Sequence, residues 1–365
     1  MTSALFTPIT LRTTTFRNRL WVPAMCQYSA ENYDGMPGPW HLVHLGSFAR
    51  GGAGAIVTEA TAVVPEGRIS PQDLGLWNDA QRDAFRPIID FVHTQGAKIG
   101  VQLAHAGRKA STPRTWEPQN GTLSEDEHGW PIVGPSAIAF DGYDTPRALS
   151  TDEVDGVVEA FVRGAVRSQQ AGFDFVELHA AHGYLMHQFL SPLSNERTDR
   201  FGGSLENRAR IVLDAVRGIR AATGPDFPIL VRFSGTDWVE GGWDEHETAT
   251  VAAWAVEAGA DLFDISSGGI AASAVIPVGP GYQVPLAASV RSDADVPTGA
   301  VGLILTPQQA EEIVESGQSD VVFVGREFLR DPHFALRAAF ELGDDLDYYP
   351  QQYHRAPFHA APVAL

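Results

Sequence analysis

Ala171-Gly172-Phe173-Asp174-Phe175-Val176-Glu177-Leu178-His179-Ala180-Ala181-His182-Gly183-Tyr184 contains, in one stretch, the unit from which the chain is built. A helical segment ends on a glycine, an apolar β-rich run follows at once, and polar residues stand just past the run. Glycine suits the junction because it enters the left-handed conformation after a helix without a Cβ cost. The same junction recurs at Gln95-Gly96, Ala258-Gly259 and Ser316-Gly317. Working outward, eight short runs read as strands: Leu20–Ala24, Ala55–Thr58, Lys98–Leu103, Phe173–Leu178, Ile229–Phe233, Leu262–Ile265, Val296–Val301 and Val321–Val324. Most are separated by stretches of helical periodicity long enough for a crossover, the pattern of a parallel sheet with covered faces. Asn78-x-x-Gln81, Ser150-x-x-Glu153 and Thr306-Pro-x-Gln309 have the form of capping boxes and mark helix starts.

Repeated eight times, the unit predicts an α/β fold closed as a (β/α)8 TIM barrel rather than an open sheet. A length of 365 residues suits one barrel domain over 1–365, and no linker or low-complexity segment interrupts it. Residues Ile9–Arg19, two short runs around Thr13–Thr15, are predicted to form an N-terminal β-hairpin that closes the bottom of the barrel. The turns from helix to strand are short, whereas the loops 104–149, 180–203 and 267–289 after strands three, four and six are long. Those loops build the active site in this architecture, so the asymmetry points to an enzyme.

Composition narrows the setting. A hydrophobic fraction of 44% supports a sizeable core. No apolar run reaches bilayer-spanning length, and the first residues lack the basic and apolar segments of a secretory signal. The single cysteine, Cys26, excludes an internal disulfide framework and a thiolate-held cluster within the chain. These features predict a cytoplasmic protein without a membrane partner. A net charge of −19 argues against nucleic acid as a partner. Lys98 and Lys109 are the only lysines among 26 lysine and arginine residues, which draws notice to Lys109.

The sharpest chemical motif is His179-Ala-Ala-His182-Gly-Tyr184, just past strand four. Two neutral imidazoles can donate N–H bonds to one carbonyl oxygen and stabilise the negative charge that develops when hydride adds to a conjugated carbon. A tyrosine beside them can deliver a proton as general acid. The alternatives are that the histidines cap a loop or bind zinc; strand one has no His-x-His and no His-Glu-x-x-His occurs, so no metal site is expected. Strand one ends in Pro23-Ala24-Met25-Cys26-Gln27-Tyr28, where a thiol either lies against an aromatic cofactor or is a small buried hydrophobe. Gln102, on strand three, offers donor and acceptor together, complementary to a flavin pyrimidine edge or to a neighbouring polar group. Arg232, between Val231 and Phe233, needs an anionic partner: a carboxylate such as Glu177, or the N1–O2 region of a reduced flavin. Strands seven and eight end in Thr298-Gly-Ala-Val-Gly302 and Val324-Gly325-Arg326, the position of the phosphate site in many such barrels. Without a strand-linked G-x-G-x-x-G, a mononucleotide fits better than a resident dinucleotide.

Taken together, these motifs run in collinear order over essentially the whole chain, joined by Gln102-Leu-Ala-His-Ala-Gly-Arg-Lys109, by Phe189-Leu-Ser-Pro-Leu-Ser-Asn195-Glu-Arg197-Thr-Asp-x-Phe-Gly-Gly203 and by Ser266-Ser267-Gly268. The chain resembles the Old Yellow Enzyme family of FMN-dependent ene-reductases, and within it the thermophilic-like subgroup. The resemblance implies non-covalent FMN at the C-terminal mouth of the barrel and an NADPH dehydrogenase type of oxidoreductase using NADPH or NADH as transient reductant. It implies reduction of the C=C bond of α,β-unsaturated aldehydes, ketones, maleimides or nitroalkenes by hydride from flavin N5. His179 and His182 correspond to the carbonyl-binding pair, Tyr184 to the proton donor, Cys26 to a thiol that modulates the flavin potential, and Tyr28 to a substrate contact. Pro23, Ala24, Met25, Cys26, Ala60, Gln102, Arg232, Ser267 and Gly268 would meet the flavin, and Gly302, Gly325 and Arg326 its phosphate. Gln352-Tyr353-His-Arg355 matches a C-terminal segment whose arginine reaches a neighbouring subunit's site, so a homodimer or homotetramer is implied, with the tail from about 342 to 365 at the contact. After Arg355 the chain departs from the family's Gly-Trp and continues Ala-Pro-Phe358-His-Ala, so the partner-side wall of the pocket, and with it the substrate scope, does not carry over from the family. Relatives that carry an iron–sulfur cluster need a group of cysteines that one cysteine cannot supply. A metal-dependent hydrolase or a redox-sensing flavoprotein stands as the rival reading.

Overall fold

A computed structural model describes residues 2–358. The chain opens with β1 (Ile9–Leu11) and β2 (Thr14–Phe16), an antiparallel hairpin turned at Arg12 and Thr13. Then follow β3 (Leu20–Val22), α1 (Pro39–Arg50), β4 (Ala55–Ala62), β5 (Leu74–Gly75), α2 (Asp79–Thr94), β6 (Lys98–Ala104), β7 (Val133–Gly134), β8 (Arg147–Ala148) and α3 (Thr151–Ala171). The second half runs β9 (Phe175–Ala180), α4 (Leu185–Leu190), α5 (Leu205–Thr223), β10 (Ile229–Ser234), α6 (Glu245–Ala258), β11 (Leu262–Ser266) and α7 (Val284–Ala294). It ends with β12 (Thr298–Ala300), α8 (Pro307–Glu315), β13 (Val321–Phe323), α9 (Arg326–Arg330) and α10 (Phe334–Leu342).

β3, β4, β6 and β9 to β13 pair in parallel in that order, and β13 returns to β3, closing an eight-stranded barrel. The expected TIM barrel is therefore present, and so is the hairpin. Leu11 and Phe16 pack with Trp21, Phe175, Leu230, Leu262 and Phe323 in one buried cluster that plugs the end of the barrel where the strands begin. Phe16 lies 4.4 Å from Trp21 between ring centroids, and Trp21 meets Phe323 edge-on at 5.6 Å. Apolar burial of this kind stabilises by roughly 25 cal/mol per Å2.

The strand limits moved for local reasons. β3 stops at Val22 because Pro23 has no N–H to give a neighbour, and β12 begins only after Pro297 for the same reason. β9 starts two residues later than Phe173, since Asp174 is spent capping: its carboxylate accepts from Lys98 Nζ at 2.8 Å and from the Ile99 N–H at 2.9 Å. It runs on to Ala180, so His179 is a strand residue rather than a loop residue. β4 extends to Ala62 through a bulge at Glu59 that shifts its register against β6. The loop after β11 is shorter than expected, because α7 begins at Val284. Two of the three capping boxes are complete; at the third, Thr306 Oγ1 accepts from the Gln309 N–H, but Gln309 Oε1 accepts from Leu305 instead. Among the described residues no helix is long and apolar enough to cross a membrane.

Candidate active site

Two loops face each other across the C-terminal mouth of the barrel. The first continues β3 as Pro23–Tyr28 and ends with Tyr28 at φ +48°, a conformation a bulky residue adopts only when it is held. The holder is Glu59, turned there by the bulge: its Oε2 accepts from the Gln27 N–H at 2.7 Å and the Tyr28 N–H at 3.3 Å. Behind it His41 Nε2 lies 3.1 Å from Glu59 Oε1, with His41 Nδ1 accepting from the Gly38 N–H at 3.0 Å. Cys26 and Tyr28 gather with Ala60 and Tyr184 in one apolar cluster. Burial, then the charges of Asp73 and Glu59, push the Cys26 thiol upward, so it is a neutral thiol at physiological pH.

The second wall starts at His179, near the end of β9, and continues in the loop through His182 to Tyr184. The ring centroids of His179 and His182 are 5.2 Å apart, and those of His179 and Tyr184 5.0 Å. Burial first, and the nearby Arg232 second, hold both imidazoles well below their ordinary range, so both are neutral. Burial, followed by Cys26 and Asp73, holds the Tyr184 hydroxyl well above its usual value, so it keeps its proton. His182 has φ +58° and is fastened on every side. Its N–H donates to Ser234 Oγ at 2.9 Å, its carbonyl accepts from Lys109 Nζ at 2.9 Å, and its Nε2 lies 2.7 Å from Ser266 Oγ. Lys109 Nζ also donates to Gly269 O at 3.0 Å and lies 5.0 Å from the Tyr184 ring centroid. Gly183 and Gly269 must both be glycine, since a Cβ on Gly183 would fall 2.0 Å from Gly269 O, and one on Gly269 would fall 2.5 Å from the His182 carbonyl.

Between the loops lies a polar bed. Gln102 Nε2 donates to Glu177 Oε1 at 2.8 Å, and both residues are buried. Arg232 does not pair with Glu177, one of the partners considered for it; its nearest carboxylate is Asp264, 2.9 Å from Nε, with the N–H pointing off that line. Burial and the Asp264 charge raise the Glu177 carboxyl to about 8. Arg232 Nε, Glu177 Oε2, His179 Nδ1 and both Asp264 oxygens are buried without hydrogen-bond partners among the described residues. Unpaired buried groups of this kind are rare in folded proteins and call for a ligand. Donors and acceptors side by side along one edge suit the pyrimidine ring of a flavin.

A cavity of about 290 Å3 opens beside this bed. Pro23, Ala24, Met25, Arg232, Gly302, Gly325 and Arg326 line it. Arg326 makes no ion pair with the described residues, which leaves it available for an anion such as a phosphate. Cys26, Ala60 and Gln102 lie outside this cavity, on the bed and the first loop. Ser267 and Gly268 do not line it but are fastened beside it: Ser267 Oγ donates at 2.6 Å to Oε1 of Gln283, which does line it, and Gly268 O accepts from Ser234 Oγ at 2.8 Å. Tyr28 and Tyr184 border a second cavity of about 390 Å3, under the 112–143 part of the long third loop. Arg355 is exposed and lines neither cavity. Sequence reasoning missed Tyr282, Gln283 and Leu303–Leu305 in the first cavity, and the bracing residues Glu59, Ser234 and Ser266. Only Ser266 had a signal, through the Ser-Ser-Gly run. Among the described residues no group of three or more His, Cys, Asp or Glu side chains is placed to hold a metal.

Comparison with known proteins agrees with this geometry. Residues 4–345 match the NADH:flavin oxidoreductase / NADH oxidase family. An NADPH dehydrogenase of Bacillus velezensis is 46% identical over 98% of this chain and 100% of its own. One from Halalkalibacterium halodurans is 44% identical over 98% and 99%. Among solved structures, morphinone reductase superposes with TM-score 0.77 at 29% identity, covering 95% of this chain and 91% of its own. The Old Yellow Enzyme homologue of Zymomonas mobilis gives 0.76 at 28%, over 95% and 96%. With the two loops, the polar bed and the anion end in place, the chain belongs to the NADH:flavin oxidoreductase / NADH oxidase family, that of Old Yellow Enzyme, and is an FMN-dependent oxidoreductase that uses a nicotinamide cofactor.

Proposed function

We propose that the enzyme reduces the C=C bond of alkenes activated by a carbonyl or nitro group: enals, enones, maleimides and nitroalkenes. The observation that carries this reading is the gathering of His179, His182 and Tyr184, with ring centroids 5.2 Å and 5.0 Å from His179, in a place where burial favours neutral imidazoles and a protonated phenol. FMN, when bound, supplies hydride taken up from NADPH or NADH. His179 and His182 each donate an N–H to the substrate's activating oxygen, where negative charge builds as hydride arrives at the β-carbon. A hydroxyl on Ser266 that donates to His182 Nε2 leaves that ring's proton on Nδ1, free for the substrate. Tyr184 transfers its proton to the α-carbon and is reprotonated from solvent. Cys26, as a neutral thiol, adjusts the flavin potential without acting as a nucleophile. Tyr28 meets the substrate from the opposite wall, and Gln102 and Arg232 hold the pyrimidine edge. Gly302, Gly325 and Arg326 hold the phosphate.

The same reading takes the enzyme to be cytoplasmic, one barrel domain, and a homodimer or homotetramer of the thermophilic-like subgroup in which Arg355 reaches a neighbouring site. The test is anaerobic turnover of the purified yellow protein. FMN is expected in the supernatant after denaturation, with NADPH oxidised many times over only when cyclohexenone is present. A protein reduced by NADPH but never reoxidised by any activated alkene would overturn the proposal.

A further inference from the structure

Beneath the His182–Tyr184 turn lies a histidine with no part in the chemistry just described. His187, on α4, is fully buried. Its Nδ1 accepts from the Gly183 N–H at 2.9 Å. An accepting Nδ1 carries no proton, so the proton of the neutral ring sits on Nε2. Nε2 lies 2.9 Å from Asp237 Oδ1, which is also fully buried, a contact made off the line of the N–H. Asp237 is fixed in turn: its Oδ2 accepts from Ser191 Oγ at 2.6 Å and from the Trp243 N–H at 2.8 Å. Burial opposes the Asp237 charge, yet His187 and these donors keep its carboxyl below the ordinary range. The charge therefore faces the ring and keeps its proton on the Asp237 side.

Gly183 stands between the two residues the chemistry uses. It follows His182 at φ +58° and has φ +73° itself, so two successive left-handed residues make the turn. Its backbone is pressed against the loop after β11, since a Cβ there would meet Gly269 O at 2.0 Å. The Gly183 N–H is the one amide of this turn that points down into α4. A shift of this peptide would displace both of its neighbours, His182 and Tyr184.

We infer that His187, oriented by Asp237, is a positioning residue that sets the relative placement of His182 and Tyr184 by accepting the Gly183 N–H. The inference rests on the reading of His182 as oxygen binder and Tyr184 as proton donor. A tyrosine hydroxyl and an imidazole that must meet adjacent atoms of one substrate tolerate little displacement, and losing an outer partner of a reacting group costs about 10- to 100-fold. Asp237 acts through the tautomer. In Asp237→Asn the amide oxygen stays with Ser191 and the Trp243 N–H, which require an acceptor, and the NH2 is turned toward His187. That drives the ring proton to Nδ1, where it confronts the Gly183 N–H.

The test uses FMN-loaded enzyme with three variants, all normalised to bound flavin. His187→Leu removes the acceptor. His187→Asn keeps an oxygen near the place of Nδ1. Asp237→Asn keeps the shape and moves the proton. The readouts are the rate of reoxidation by cyclohexenone and the affinity of 4-nitrophenolate, an oxyanion ligand followed by its effect on the flavin visible spectrum. His187→Leu and Asp237→Asn are expected to lose about 10-fold or more in both, with His187→Asn recovering most of it. Histidine 15N spectra are expected to show the Nε2–H tautomer at position 187, and a shift toward Nδ1–H in Asp237→Asn. Wild-type phenolate affinity in His187→Leu, or a His187→Asn variant as poor as His187→Leu, would overturn the inference. If His187→Leu fails to bind flavin, Asp237→Asn and the tautomer spectrum decide it, an Nδ1–H ring in the wild type being fatal. Tyr184→Phe run in parallel separates the two levels. Unchanged reoxidation there removes the proton-donor reading, while phenolate affinity still reports on His182.

Discussion

The two walls of the site are braced by the same pair of groups in opposite order. Under the Cys26–Tyr28 wall the carboxylate of Glu59 takes the loop N–H groups itself, and His41 stands behind it. Under the His182–Tyr184 wall the imidazole of His187 takes the N–H, and the carboxylate of Asp237 stands behind. The difference follows from charge. A carboxylate set directly beneath His179 and His182 would favour their imidazolium forms and oppose the anion that the proposed reaction forms on its substrate. An imidazole spacer braces the second wall while holding the negative charge one ring farther away. The first wall ends in a neutral thiol and a phenol with no charge to develop, so a carboxylate there does no harm.

The largest effect should appear on exchanging like residues across the two walls. Tyr184→Phe is expected to slow alkene-dependent reoxidation by about 10^2- to 10^4-fold, the usual worth of a placed general acid, while flavin reduction by NADPH is spared. Tyr28→Phe removes the same hydroxyl from the other wall and should cost about 10-fold or less, mostly in KM. Stopped-flow measurement of the two half-reactions checks both. Equal losses would mean that the walls do not divide the labour as described.

Next in size is a loss of stability at the first wall. Glu59→Ala strands the Gln27 and Tyr28 N–H groups and leaves His41 without its carboxylate. Each buried donor without a partner costs about 1–3 kcal/mol. Urea unfolding should therefore show a fall of several kcal/mol, and Tyr28 should leave its left-handed conformation. A fall under about 1 kcal/mol would show that the bulge, not the carboxylate, holds this loop.

Much of this division was legible in the sequence, and the unread part has a common cause. Strands, helix caps and the hairpin are set by local residues, so the barrel could be counted from glycine junctions and capping boxes. The candidate site residues cluster in short motifs at strand ends, and the structure brings His179, His182 and Tyr184 together. Arg232 was legible as needing an anion, but Asp264, one strand over, could not be chosen above Glu177 without the register that sets Arg232 opposite Asp264. The braces were hidden for the same reason. Glu59 and Gln27 lie 32 positions apart, and His187 and Asp237 are joined across strands by contacts that no spacing records.

Acid titration should separate the walls further. Burial, aided by His41, holds His44, behind the first wall, down to about 4, and burial holds His105 down to about 4. His179 and His182 are held well below 6.5 at the second. In the unfolded chain these rings take up protons as pH falls through about 6.5, whereas in the native protein they do so only later. The unfolded state then binds more protons, so stability is lost as pH falls from about 6.5 toward 4. Three buried carboxyls act in the opposite sense, because the native state alone keeps their protons: Glu177, raised to about 8, Asp264, raised to about 6, and Asp73, held well above its usual range. Against the wild-type profile in urea from pH 7.5 to 4.5, His44→Gln should lose less stability toward acid and Glu177→Gln more. Superimposable profiles for all three proteins would contradict a neutral buried imidazole at position 44 and a protonated carboxyl at 177.

The smallest effect tests how the second wall sets the proton on His182. Ser266 Oγ lies 2.7 Å from His182 Nε2 and also reaches Gln283 Oε1 at 3.4 Å, too long a contact to hold the hydroxyl proton firmly. The proton can therefore go to the ring, which leaves the imidazole N–H on the substrate side. In Ser266→Ala nothing selects that tautomer, but Ser234 and Lys109 still hold the His182 backbone. The ring stays in place and loses only its preference. The expected loss in reoxidation by cyclohexenone is about 10-fold, the low end for an outer hydrogen-bond partner, with the unfolding midpoint little changed. A loss as large as that of Tyr184→Phe would mean that Ser266 places the ring as well as its proton, and the bracing of this wall would then extend from His187 beneath the turn to β11 beside it.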